Sequence, residues 1–120
     1  MIEALPNLTI AIVGPCAAGK TSLAGALQER GLAARQIAQE HSYVPAMWQL
    51  ITNPDVLVYL NASYEVCTHR KKLNWLPKEH AEQIHRLRHA RQHCHIYVDT
   101  DDLAIQEVLA LVLDALQAYT

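Results

Sequence analysis

Residues 8–22 read LTIAIVGPCAAGKTS, and the order of residue types within them decides the fold. The run 8–13 is continuously apolar and rich in branched side chains, which suits a strand buried on both faces. From Lys20 onward apolar residues return at helical spacing. Leu23, Ala26 and Leu27 share one face and Gly31 stands at the C-cap, so a helix is expected over 20–30. Between strand and helix, Gly14-Pro15-Cys16-Ala17-Ala18-Gly19-Lys20-Thr21 matches G-x-x-x-x-G-K-[ST] at every position. Glycines let a backbone turn tightly and approach an anion, successive N–H groups point inward as a nest, and the helix adds the positive end of its dipole. The expectation is a phosphate loop of ATP or, less favoured, GTP. It would run from Gly14 to Ser22, with Lys20 reaching the β- and γ-phosphates and the Thr21 hydroxyl holding Mg²⁺. The bland alternative is a chance glycine turn, but the match lies between a buried strand and a helix, the context the motif requires. Pro15 stiffens the loop, and Cys16 reads as a packed thiol before a reactive one.

Working outward, residues 34–39 form a weaker second strand that ends at Glu40-His41-Ser42. A short helix over 45–51 is closed by Asn53-Pro54, and 56–60 (VLVYL) is a third buried strand. Ser63 is placed to N-cap a helix over 63–73, and Pro77 to open another over 77–92. A fourth strand, 96–98, ends at Asp99, and a final helix fills 104–119. Strand and helix alternate four times, so the expectation for 1–120 is a single α/β domain. It would be a three-layer sandwich around a small, mostly parallel four-stranded sheet. The open edges of so small a sheet make a homodimer one way of covering them.

The bulk composition agrees. The chain has 120 residues, 51% hydrophobic and 18% charged, which gives a globular domain with a modest core. A net charge of -2 provides no basic field for nucleic acid. Cys16, Cys67 and Cys94 are odd in number and widely spaced, so reduced thiols in a cytoplasm are expected. The N-terminal stretch lacks the charged region of a signal peptide, and no apolar run approaches the ~20 residues that span a bilayer.

Three segments resemble P-loop kinases of the nucleoside and nucleotide kinase type: 9–27 with its glycine loop, 55–70 (DVLVYLNASYEVCTHR), and 96–108 (IYVDTDDLAIQEV). The resemblance implies the P-loop NTPase fold, phosphoryl transfer from ATP to a small molecule, and a lid-like helical region over about 70–94. It implies that Arg70 lies near the adenine or phosphates and that the loop 100–103 flanks the base. It also implies arginines from among Arg86, Arg88 and Arg91 against the transferring group. The chain departs from the family in lacking a strand or more, and the insertion that follows the second strand shrinks to 41–53. A nucleotide sensor without turnover, or a slow NTPase, is therefore a competing expectation. No NKxD-type guanine motif occurs, so a GTPase is the weakest choice.

Beyond the loop, the strongest acid is Glu40. It follows the second strand at the carboxyl edge of a parallel sheet, where it can face Mg²⁺ with Thr21. A solvated loop glutamate is the competing reading. His41 and Ser42 read as turn residues and Asp99 as a capping acid. In 79–95 (EHAEQIHRLRHARQHCH), Ile84, Leu87, Arg91 and Cys94 recur at helical spacing. Arg88 and Arg91 are thus expected to point inward and stabilise phosphate charge, and Arg86 to be solvated. His85, His89 and His93 line one helical face, more simply a polar face than a metal site. Lys71, Lys72 and Lys78 around Trp75 read as a lid surface with one packed tryptophan, not a nucleic-acid patch.

Overall fold

The computed structural model describes residues 8–71 and 74–119. Thr9–Val13 forms β1, Ala33–Gln36 β2, Val56–Asn61 β3 and Ile96–Asp99 β4. All pair in parallel in the order β2-β1-β3-β4, so the strand carrying the glycine loop is central. Ile12 stands between Gln36 and Val58, and Asn61 opposite Asp99, so the carboxyl ends of the strands share one edge. The helices are α1 (Lys20–Glu29), α2 (Met47–Thr52), α3 (Tyr64–Lys71), α4 (Pro77–Arg86), α5 (Arg88–His93) and α6 (Ile105–Leu116).

Alternation along β1 builds two cores, one on each face of the sheet. Ile10 and Ile12 face one side, with Leu23 and Leu27 of α1, Cys67 of α3 and Val108, Val112 and Leu116 of α6. Ala11 and Val13 face the other, with Trp48 of α2, Leu87 and Ala90. A strand buried on both faces has to be apolar at every position, and β1 is 0% exposed from Ile10 to Val13. Each such Ile or Leu contributes about 1.5–3 kcal/mol of burial. An α/β chain with an all-parallel sheet and helices on both faces is therefore observed. Among the described residues no helix is long and apolar enough to cross a membrane.

Three expectations need correction. The second strand stops at Gln36, and Glu40 lies within a 3₁₀ turn, Gln39–His41, not directly after the strand. The buried Gln39 side chain winds the chain there, donating to the Val44 carbonyl (2.8 Å) and accepting from the Trp48 N–H (2.9 Å). The helix expected over 77–92 is two helices that break at Leu87, whose N–H is shared between the Gln83 and Ile84 carbonyls, both at 3.1 Å. The last helix ends at Leu116 and tightens into a 3₁₀ turn, Gln117–Tyr119. Ser63 does cap α3, its hydroxyl accepting from Val66 N–H at 3.2 Å. The Leu73 end of that helix and Lys72 lie outside the described residues.

Candidate functional site at the end of the first strand

The site begins where β1 stops. A Cβ on Gly14 would stand 2.1 Å from the Leu60 carbonyl oxygen, so the loop crosses β3 at a distance only glycine permits. Ala17 (φ 69°) and Gly19 (φ 99°) both adopt left-handed backbone, and α1 follows at once. Leu23 is the first residue of α1 seen to bond back, to the Gly19 carbonyl at 3.0 Å. The N–H groups of the first turn precede any helical acceptor, as at every helix start.

Lys20 folds back beneath this loop. Its ammonium donates to the Gly14 carbonyl (2.7 Å), the Pro15 carbonyl (3.1 Å) and Glu40 Oε2 (2.7 Å), which uses all three of its protons. Lys20 and Glu40 are only 7% and 4% exposed. A pair this deep holds because each charge has the other and the loop carbonyls. Glu40 Oε1 is buried with no hydrogen-bond partner among the described residues.

Residues remote in sequence tie down the rest of the loop. The Gln83 amide accepts from Cys16 N–H (3.0 Å) and donates to Cys16 Sγ (3.3 Å). Cys16 Sγ lies 3.6 Å from His41 Nε2 and 3.9 Å from Glu40 Oε2. Thr21 Oγ1 accepts from Gln36 Nε2 at 2.8 Å. Arg70 reaches across from α3 to the Ala17 carbonyl (3.0 Å) and to both the hydroxyl and the carbonyl of Thr100. The Thr100 hydroxyl in turn faces the Asn61 carbonyl at 3.0 Å and the Ala18 carbonyl at 3.3 Å. Cys16, Thr21, Gln36, Glu40, Arg70 and Thr100 border a cavity of about 450 Å³ at the carboxyl edge of the sheet, with Leu103, Ile105 and Val108 as its apolar wall. Its lining therefore combines the cations Lys20, Arg70 and Lys71, the Glu40 carboxylate and one apolar wall.

Burial pushes the Cys67 thiol, behind the loop on α3, up to about 11, with the Arg70 charge opposing the shift. Cys67 is a packed, protonated thiol at neutral pH. Burial, and then the neighbouring Tyr97, push the Tyr59 phenol up to about 12.

Of the residues singled out from sequence, Cys16 through Ser22, Glu40 and Arg70 line this cavity, and Thr100 and Leu103 of the loop after β4 join them. Gly14 and Pro15 lie beneath it and supply the carbonyls that hold Lys20. The inward orientation expected of Arg88 and Arg91 is corrected, because both are exposed. The break at Leu87 turns Leu87 and Ala90 to the core and the arginines away from it. Arg88 donates to the His85 carbonyl (2.8 Å), and Arg91 lies 4.0 Å over the Tyr97 ring. Arg86, expected to be solvated, is half-buried; it pairs with Glu82 (3.2 Å) and reaches the Glu40 carbonyl at 3.4 Å. Asp99 caps the next turn, accepting from Asp101 N–H at 3.1 Å, and Ser42 caps its own, accepting from Val44 N–H at 3.0 Å. On the histidine face, His89 Nδ1 accepts from the Trp48 indole (3.1 Å) and its ring lies 4.3 Å from that of His93. Among the described residues the side chains grouped closely enough to hold a metal ion are Cys16, Glu40 and His41 instead.

Sequence reasoning missed Gln83 and Gln36, and it placed Thr100 only within a loop beside the base, not as the partner of Arg70. Gln83 left a trace, a polar residue in the buried series Gln83, Leu87, Ala90, where an apolar one was due. Gln36 left none, and neither did the bonds that Thr100 makes, since each acts through a partner distant in the chain. No protein-family model and no curated protein matches this chain.

Proposed function

We propose that the chain is a small ATP-dependent kinase with the P-loop NTPase fold, acting on a small-molecule acceptor with Mg²⁺. The observation that carries this reading is Lys20, a buried ammonium held under a glycine loop at the floor of a cavity that the first turn of α1 and Arg70 border. The donor set fits a polyphosphate: left-handed backbone at Ala17 and Gly19 aims the loop, and space is open beyond the Gly19 Cα. Thr21 and Glu40 offer oxygens on the same cavity and would hold Mg²⁺. Bound Mg-ATP supplies the transferable phosphoryl group and the metal charge that offsets its oxygens. The protein orients and neutralises: Lys20 exchanges loop carbonyls for phosphate oxygens, Arg70 sets one wall, and Leu103 and Ile105 exclude water beside the base.

Calorimetry with Mg-ATP, with Mg-GTP as comparison, tests binding, beside Lys20→Ala. Heat in the wild type that is lost in a folded variant supports the reading, and its absence at millimolar ligand ends it. ADP release against a panel of hydroxyl and phosphate acceptors then tests transfer. One observation favours a second reading, a nucleotide sensor without turnover. Arg88 and Arg91 are exposed and neither lines the cavity, so the two arginines expected to meet a transferring phosphoryl group are not beside it. Tight binding with no acceptor-dependent ADP selects the sensor.

A further inference from the structure

We infer that Cys16, Glu40 and His41 form a binding site for a divalent cation of intermediate softness, Zn²⁺ foremost. The loop after β1 and the 3₁₀ turn after β2 bring a sulfur, a carboxylate oxygen and an imidazole nitrogen to one point. Their separations are 3.6 Å (Sγ to Nε2), 3.8 Å (Nε2 to Oε2) and 3.9 Å (Sγ to Oε2). Tetrahedral Zn²⁺ with bonds of about 2.0–2.3 Å places its ligands roughly 3.3–3.8 Å apart, so side-chain shifts of a few tenths of an ångström complete the geometry. Magnesium and calcium favour all-oxygen sites, whereas a set of one sulfur, one nitrogen and one oxygen selects zinc or cobalt.

A second observation points to the same ion. Glu40 is 4% exposed, yet its Oε1 has no hydrogen-bond partner among the described residues. A buried carboxylate oxygen without a partner is costly, and a cation bound at Oε2 lowers that cost by withdrawing charge from the carboxylate. Thiolate and carboxylate together neutralise a dication, and the Lys20 ammonium, 2.7 Å from Oε2, keeps the Gly14 and Pro15 carbonyls as acceptors. Three protein ligands leave the fourth position for water or for a donor from whatever occupies the cavity. None of this requires nucleotide binding. The site stands or falls apart from the kinase reading, although both use Glu40.

The test is titration of the full, metal-free chain with Zn²⁺ and, for spectroscopy, Co²⁺, with no nucleotide present. Expected are one tightly bound ion per chain and a thiolate-to-cobalt charge-transfer absorption. The absorption vanishes in Cys16→Ser and persists in Cys67→Ala and Cys94→Ala. His41→Ala weakens Zn²⁺ by at least about tenfold, because losing a ligand costs no less than losing the outer partner of one. The double variant His89→Ala/His93→Ala binds as the wild type does. Circular dichroism confirms that each variant is folded; His41 is exposed, so its removal leaves the core intact. The inference is overturned if the absorption is absent or survives Cys16→Ser, if His41→Ala binds as tightly as the wild type, or if loss of His89 and His93 abolishes binding.

Discussion

The loop 14–19 and the segment 77–93 form an instructive contrast. The loop contains no ionisable group besides Cys16, yet polar groups from four distant parts of the chain converge on it: Glu40, Arg70, Gln83 and Thr100. The segment 77–93 is dense in His, Arg and Glu, yet its charged groups mostly pair locally or lie at the surface, as with Arg86 on Glu82, Arg88 on the His85 carbonyl and Arg91 on Tyr97. The density of reactive residue types is therefore a poor guide to a site here. Convergence on a buried point is the better one, because it sets the dielectric and the geometry in which charge acts.

The sharpest way to break this contrast is to remove one partner of the buried pair. Lys20→Ala or Glu40→Ala should each destabilise the fold by about 3–5 kcal/mol, since either leaves an uncompensated buried charge. The double variant Lys20→Met/Glu40→Leu should regain most of that loss. Urea denaturation measures both, and single costs under about 1 kcal/mol would mean that the pair is solvated. Next in size is Gly14→Ala, at about 1–3 kcal/mol or more, because the new Cβ meets a backbone carbonyl on β3 that cannot step aside. Gly19→Ala tests left-handed backbone alone, about 1–2 kcal/mol, for nothing stands within 4 Å of its new methyl. On the other side of the contrast, Arg91→Ala should cost about 0.5–1 kcal/mol through its ring contact. Arg88→Ala should stay within about 0.5 kcal/mol. A cost above about 2 kcal/mol for either arginine would erase the distinction between the regions.

The smallest effect, nil at neutral pH, is alkaline. The folded state holds the Cys67 proton up to about 11 against an ordinary 9.0, so stability is fully present below pH 9.0 and falls as pH rises through the folded value. Tyr59, raised from 10.0 to about 12, adds to the same decline at higher pH. Urea midpoints measured across that range should fall more steeply for the wild type than for Cys67→Ala.

The strand-loop-helix unit was legible in the sequence because each of its signals is local. The apolar run of β1, the glycines, and the Leu23 and Leu27 stripe all lie within one short stretch. Position along the chain was enough to bring Glu40 to the carboxyl edge of the sheet, though the turn that delivers it depends on the buried side chain of Gln39. The orientation of Arg88 and Arg91 was not legible. A helical wheel assumes one continuous helix, and the break at Leu87 resets the phase of everything after it. The partners of Gln83 and Thr100 were out of reach for a related reason, since a hydrogen bond across more than sixty residues leaves no periodic mark.

Thr100 carries a consequence for the order in which the molecule takes shape. Its small hydroxyl touches the chain at Ala18 and Asn61 and receives Arg70, so the glycine loop is fastened by a residue that follows Ala18 by 82 positions. A nascent chain that has emerged only as far as β3 can pair its first strands and set Glu40 beside Lys20, yet it lacks the Arg70 and Thr100 contacts on that loop. The loop is thereby made early yet fully fastened only once β4 and the turn after it have joined the sheet.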